Sequence, residues 1–175
     1  MILYHGTTYK RAHRIFEDRI IKKNCERFFT EEENGDGYST DGYIYLTNEV
    51  TLALYFAYCH HRVDKSDSMV VFKIEIPDEI ILPDYDEMRY QDLTGTDRAR
   101  YSDDLSCSLL EFKACRISAD LSFDEYDVQY FRLFANDVDN IGDLFDNAGC
   151  NYEYVIKHYS RKQTEFIQSI HWTNV

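Results

Sequence analysis

The chain begins with a short apolar run, Ile2-Leu3-Tyr4-His5-Gly6-Thr7, in which His5 is the polar group. Two later runs have the same design: Gly42-Tyr43-Ile44-Tyr45-Leu46-Thr47 and Asn151-Tyr152-Glu153-Tyr154-Val155-Ile156. A β-strand presents alternate side chains on one face, while the apolar neighbours anchor its backbone. We therefore predict that His5, Tyr45 and Glu153 point from three strands into one shared cleft.

These residues, in this order, resemble the ADP-ribosyltransferase superfamily of the diphtheria-toxin and poly(ADP-ribose)-polymerase type, whose NAD site uses a His, a Tyr and a Glu. The first run resembles the family's His-Gly-Ser/Thr strand. The second resembles its Gly-x-Tyr strand, with one extra residue after Gly42. Ala53 and Phe56 follow at the family's spacing for a small residue and then the aromatic that stacks on nicotinamide.

The resemblance also implies a role for each site residue. Glu153 would bond the nicotinamide ribose and stabilise the charge that develops as the bond to nicotinamide breaks. His5 would bond the adenosine ribose, and Gly6 would admit the nicotinamide amide because it lacks a Cβ. Tyr45 and Phe56 would sandwich the nicotinamide ring. The cofactor-binding set is thus His5, Gly6, Thr7, Tyr45 and Phe56, in which Thr7 either bonds a ribose or caps the next helix.

Some assignments have rivals within the chain. Tyr43 competes with Tyr45, since a shift of one residue in strand register exchanges the two faces. Glu111 and Glu165 compete with Glu153, although neither is followed by Tyr-Val-Ile. The chain lacks the Ser-Thr-Ser segment of the arginine-specific toxins, and it does not resemble the arginine-rich site of the RNA 2′-phosphotransferases.

Length and composition favour one soluble domain over residues 1–175, of which 44% are hydrophobic. We expect no signal peptide and no membrane span, because strand-like sequence follows Met1 directly and long apolar runs are absent. The five cysteines form no C-x-x-C pair, so we expect free thiols, no metal site and a cytoplasmic protein.

The net charge of −13 disfavours broad nucleic-acid binding. Residues 9–27 are nevertheless rich in Lys and Arg, next to His5. This segment is interpreted equally well as the solvated face of a helix or as a basic face for an anion, such as the NAD pyrophosphate or an RNA strand. The acidic remainder suits a basic partner, for instance an antitoxin, or solubility alone.

The pattern of the whole chain predicts an α+β fold, with the split β-sheet core and flanking helices that the resemblance implies. Helices are predicted after Thr7 or Thr8, over 48–58 and over 105–115, and strands over 68–76 and 166–172. Residues 30–42 are predicted to form a loop. Residues 126–135 fit a strand or a helix, and 84–104 fit a long loop or a broken helix.

The resemblance implies a mono-ADP-ribosyltransferase that uses NAD as a substrate and modifies a macromolecule inside the cell, as toxins and defence proteins do. The acceptor is a protein or a nucleic acid, and the charge leans towards protein. The alternatives are an NAD glycohydrolase, a catalytically silent domain that binds NAD or ADP-ribose, and an unrelated acidic protein. An antitoxin or another regulatory protein is a candidate partner.

Overall fold

The computed structural model describes residues 1–25, 39–93, 104–134 and 161–175. These residues form a mixed α+β structure with several helices around a mostly antiparallel sheet. The strands are β1 (Ile2–Thr8), β2 (Ile20–Ile21), β3 (Ile44–Thr47), β4 (Ser68–Glu75), β5 (Leu82–Pro83), β6 (Ala114–Ile117), β7 (Leu121–Ser122), β8 (Val128–Phe134) and β9 (Thr173–Asn174). The α-helices are α1 (Tyr9–Asp18), α2 (Val50–Asp64), α3 (Tyr85–Leu93), α4 (Leu105–Cys107) and α5 (Arg161–Ser169).

Seven strands form the main sheet, in the order β5-β6-β3-β1-β4-β8-β9, and β2 pairs separately with β7. Strand β1 is therefore central. It pairs with β4 along its whole length, from Ile2↔Glu75 to Thr8↔Met69. Its register with β3 on the other side is confined to Tyr4↔Thr47. Strands β1 and β3 thus separate just at the position of His5.

The sheet is covered on both faces. On one face, Leu3, Phe72 and Ile117 belong to a core against which Phe16 of α1 packs, with its ring centroid 5.3 Å from that of Phe72. On the other face, α2 and Met69, Val71 and Phe131 of the sheet form a second core. Burying a large apolar side chain in this way contributes roughly 1.5 to 3 kcal/mol. The two cores hold β1 rigidly between them.

Several local predictions are confirmed. Strands lie at β1, β3 and β4, and helices at α1 and α2, although α2 continues to Asp64. Thr8 is the N-cap residue of α1, but its side chain makes no capping bond. It donates instead to the Asp64 carboxylate at 2.5 Å. The region 126–135, left open between strand and helix, contains strand β8.

One prediction is confirmed only in part, and another is wrong. The expected helix over 105–115 is helical as far as Phe112, as a short α4 followed by a π-helical turn, Ser108–Phe112, but β6 begins at Ala114. Lys113 ends the helical segment with φ of +58°, a left-handed conformation, and both faces of β6 are buried, which hides the alternation of a strand. The expected strand over 166–172 is largely α5, whose Phe166 and Ile167 pack on the second core.

Other predicted segments are described only in part. Residues 85–93 form α3, while 94–103 lie outside the described residues, as do 30–38 of the predicted loop and the predicted strand 151–156. None of the helices in the described ranges has the length and the apolar composition that crossing a bilayer requires.

Candidate functional site

His5 lies where β1 and β3 separate. Its imidazole Nδ1 is 3.0 Å from the carbonyl oxygen of Tyr45, 40 residues further along the chain. A carbonyl oxygen only accepts hydrogen bonds, so Nδ1 carries the hydrogen and donates it. In the neutral ring this leaves Nε2 as an acceptor. The structure therefore places the His5 ring against the backbone of Tyr45, while the Tyr45 hydroxyl is directed to Thr40 and Asp86.

The protein around the half-buried His5 ring lowers its pKa, because burial penalises the imidazolium, and the hydrogen bond to Tyr45 opposes that effect only in part. His5 is thus neutral at physiological pH. A neutral ring with a fixed Nδ1–H presents Nε2 as an acceptor for a hydroxyl group. This is the chemistry that bonding a ribose hydroxyl requires.

A second histidine lies close to His5. His60, on α2, has its pKa lowered to about 4 by burial first, then by the nearby positive charge of Arg11 and by its electrostatic interaction with His5, with Asp64 opposing. Asp64 also accepts the Thr8 hydroxyl and lies 4.0 Å from Nε of Arg11. The end of β1 therefore lies near the imidazoles of His5 and His60 and near the Asp64 carboxylate, which accepts from Thr8.

Gly6 is in close contact with α2. A Cβ built on Gly6 would lie 1.7 Å from the carbonyl oxygen of Ala53 and 2.5 Å from its carbonyl carbon. The glycine thus allows α2 to pack closely on β1. This is a packing role, whereas the sequence analysis gave Gly6 the role of admitting the nicotinamide amide. Phe56 is half-buried on the same helix, three residues after Ala53 and so on nearly the same side.

Tyr45 is held at both ends. Its carbonyl binds His5, and its hydroxyl lies 2.9 Å from the Thr40 carbonyl oxygen and in hydrogen-bond contact with the Asp86 carboxylate. Tyr43, its rival, lies before β3, where its ring centroid is 4.0 Å from the guanidinium carbon of Arg116. Tyr43 thus contacts a buried cation, whereas Tyr45 links β1 to α3.

The remaining predicted residues are placed as follows. Thr7 is buried in β1, with 4% of its surface exposed, and the residue at the helix cap is Thr8. Glu153 lies outside the described residues. Its rivals Glu111 and Glu165 are both exposed, on the π-helical turn and on α5.

The sequence did not single out Asp86, Arg116 or His60. Asp86 stands in the first turn of α3, where an acidic residue ordinarily reflects the helix dipole. Arg116 is the polar residue of a buried strand, which is the one local signal that favours a paired or functional side chain. His60 is one of six histidines, and its environment depends on how α2 packs against β1.

Asp84 is a buried carboxyl group beside this network, with 4% of its surface exposed. Its Oδ1 accepts the backbone N–H groups of Asp86 and Glu87 at 3.1 and 3.0 Å and so caps α3. Burial, aided by the Glu87 carboxylate, raises its pKa to about 8. Asp84 therefore holds a proton at neutral pH in the folded protein.

We expect Asp84→Asn to stabilise the protein at pH 8 and to change stability little near pH 4. The folded pKa lies above the ordinary 3.8, so the stabilising contribution is complete below that value and is lost as pH rises towards about 8. The loss approaches 1.4 kcal/mol per pH unit at most. Asparagine keeps the capping oxygen and has no proton to lose.

Denaturant unfolding at pH values from 4 to 9 measures this effect. The exposed Asp127 supplies a matched control, since Asp127→Asn should follow the wild-type curve. A parallel pH dependence for wild type and Asp84→Asn would show that Asp84 is already ionised in the folded state.

No protein-family model, no curated protein and no solved structure matches the chain. Within the described ranges, His, Cys, Asp and Glu side chains form no group of three or more that could hold a metal ion. The fold and the site together define a mixed α+β protein in which the His5 imidazole bridges from β1 to the backbone of β3.

Proposed function

We propose that this protein is an NAD-dependent mono-ADP-ribosyltransferase. The observation that supports the proposal is the hydrogen bond from the His5 imidazole to the backbone carbonyl of Tyr45, next to the Tyr4↔Thr47 pair of β1 and β3. The two residues come from different parts of the chain, and the family resemblance had paired them on the sequence alone. The close approach of Gly6 to Ala53, about one helical turn before Phe56, brings α2 against β1 next to His5.

In the proposed reaction the bond between nicotinamide and the ribose carbon breaks, and nicotinamide leaves with the electron pair. A nucleophilic atom of the acceptor forms the new bond to that carbon and releases its proton. Glu153 stabilises the positive charge on the sugar and orients the acceptor. His5 receives a ribose hydroxyl at Nε2, and Tyr45 and Phe56 hold the cationic ring between their faces.

The acceptor is proposed to be an intracellular macromolecule, with protein favoured over nucleic acid by the net charge of −13. We also propose a cytoplasmic location. Cys25, Cys107 and Cys115 are free thiols, which fits a reducing compartment. A toxin or defence role, regulated by an antitoxin or a similar protein, would suit such an activity.

The test is incubation of the purified protein with NAD labelled in its adenylate part, in protein and RNA extracts separately. We expect label on one macromolecular fraction and release of nicotinamide. Free ADP-ribose as the only product would replace the proposal with an NAD glycohydrolase. NAD binding without turnover would indicate a silent binding domain, and no binding would refute the family assignment.

Two histidine variants test whether His5 takes part in NAD turnover. His5→Ala should lower kcat/KM for NAD roughly tenfold, since one hydrogen bond to the ligand is lost. His13→Ala removes an exposed imidazole on α1 and should leave turnover unchanged. Equal activity in the two variants would remove His5 from the site.

A further inference from the structure

Asp86 lies at the centre of a buried polar network that reaches Tyr45. Its side chain is 9% exposed, and both carboxylate oxygens are engaged. The Thr40 backbone N–H and hydroxyl each donate to it at 2.8 Å. Nη2 of Arg89 lies 3.3 Å from one oxygen, and Nη1 of Arg116 lies 3.4 Å from the other, which also contacts the Tyr45 hydroxyl.

The two arginines hold the carboxylate in place. Arg116 is itself buried, with its side chain 8% exposed, and its guanidinium carbon lies 4.0 and 4.9 Å from the ring centroids of Tyr43 and Tyr85. The Thr40 hydroxyl and backbone N–H and both guanidinium groups are donors towards this carboxylate, so its oxygens act as acceptors throughout the network. The Tyr45 hydroxyl is then the donor of their contact.

Asp86 is not needed to satisfy the Tyr45 hydroxyl. A hydroxyl group has one hydrogen, and the Thr40 carbonyl oxygen at 2.9 Å could accept it. A buried carboxylate also costs desolvation free energy, which an apolar neighbour of Tyr45 would avoid. The charged acceptor holds the Tyr45 hydroxyl more firmly in one orientation, because hydrogen bonds to ionised groups are shorter and roughly twice as strong.

We propose that Asp86 is a positioning residue that, held by Arg116 and Arg89, fixes the ring of Tyr45, the residue whose backbone carbonyl binds His5. The consequence for NAD rests on the proposed function: a fixed ring binds nicotinamide without first losing rotational freedom. Asp86 acts through Tyr45 and does not touch the substrate. Its loss should therefore change NAD binding far more than the chemical step.

The kinetic test compares Asp86→Asn, Tyr45→Phe and the double variant. We expect each single variant to raise KM for NAD about tenfold with kcat within roughly twofold of wild type. The double variant should equal the single ones, because both changes break the same contact. Multiplied effects in the double variant, or a loss confined to kcat, would overturn the proposal.

A second measurement is independent of NAD. Ring-flip rates of Tyr45, from NMR of protein labelled in its tyrosine rings, should be slow in wild type and much faster in Asp86→Asn. Glu87→Gln, which changes the next carboxylate of α3, should keep the slow rate. Unchanged flips in Asp86→Asn would refute the positioning role, whereas faster flips in a protein that does not bind NAD would refute the proposed function alone.

Discussion

Glu153→Gln is expected to lower the rate of NAD cleavage about 10²- to 10³-fold, while NAD still binds. Glutamine has the shape of glutamate but lacks its negative charge. The carboxylate stabilises the charge that the sugar acquires only in the transition state, so removing the carboxylate lowers kcat. Nicotinamide release under saturating NAD, measured beside wild type, checks the prediction.

The rival acids supply the matched controls. Glu111 and Glu165 are exposed on other elements, so Glu111→Gln and Glu165→Gln should retain wild-type turnover. If one of these variants lost activity and Glu153→Gln kept it, the catalytic carboxylate would be reassigned. Equal thermal unfolding of all three variants would show that the comparison concerns chemistry rather than folding.

Gly6→Ala is expected to destabilise the fold by about 3 kcal/mol or more. The new methyl group would meet the backbone of Ala53, with its carbonyl oxygen 1.7 Å away, so α2 would have to move off β1. For a chain of this size the loss corresponds to a fall in Tm of roughly 6 to 12 °C. Differential scanning calorimetry measures it directly.

Gly42→Ala is the control for this prediction. Gly42 has a φ of +84° and no atom within 4 Å of a built Cβ, so alanine there costs backbone strain without a clash. That strain is typically about 1 kcal/mol. If the two variants lost equal stability, the contact between Gly6 and Ala53 would not determine the packing of α2.

The sequence predicted the central elements well, because each has a local signal. The residues of β1 and β4 alternate between apolar and polar or form an apolar run between polar segments, and α1 has an apolar stripe along one face. The family resemblance also assigned His5 and Tyr45 to one site, and in the structure the His5 imidazole contacts the backbone carbonyl of Tyr45. Their hydrogen bond spans 40 residues of chain, which no local pattern encodes.

Local patterns failed where burial on all sides or distant packing dominates. The apolar residues of α5 also fit the alternation of a strand, and only their contact with the second core selects the helix. Strand β6 is buried on both faces and so lacks a period of two. In both cases the partner surface, rather than the segment itself, decides the structure.

The sequence by itself determined the main strands and helices β1, β3, β4, α1 and α2, and with them the placement of His5 on β1 and Tyr45 on β3. Only the tertiary structure decided that Asp86 contacts Tyr45, 41 residues earlier in the chain, and that α2 occupies the space beside Gly6. The physical reason is that charge and shape complementarity act between surfaces. Those surfaces exist only once β1, β3 and α3 have packed together.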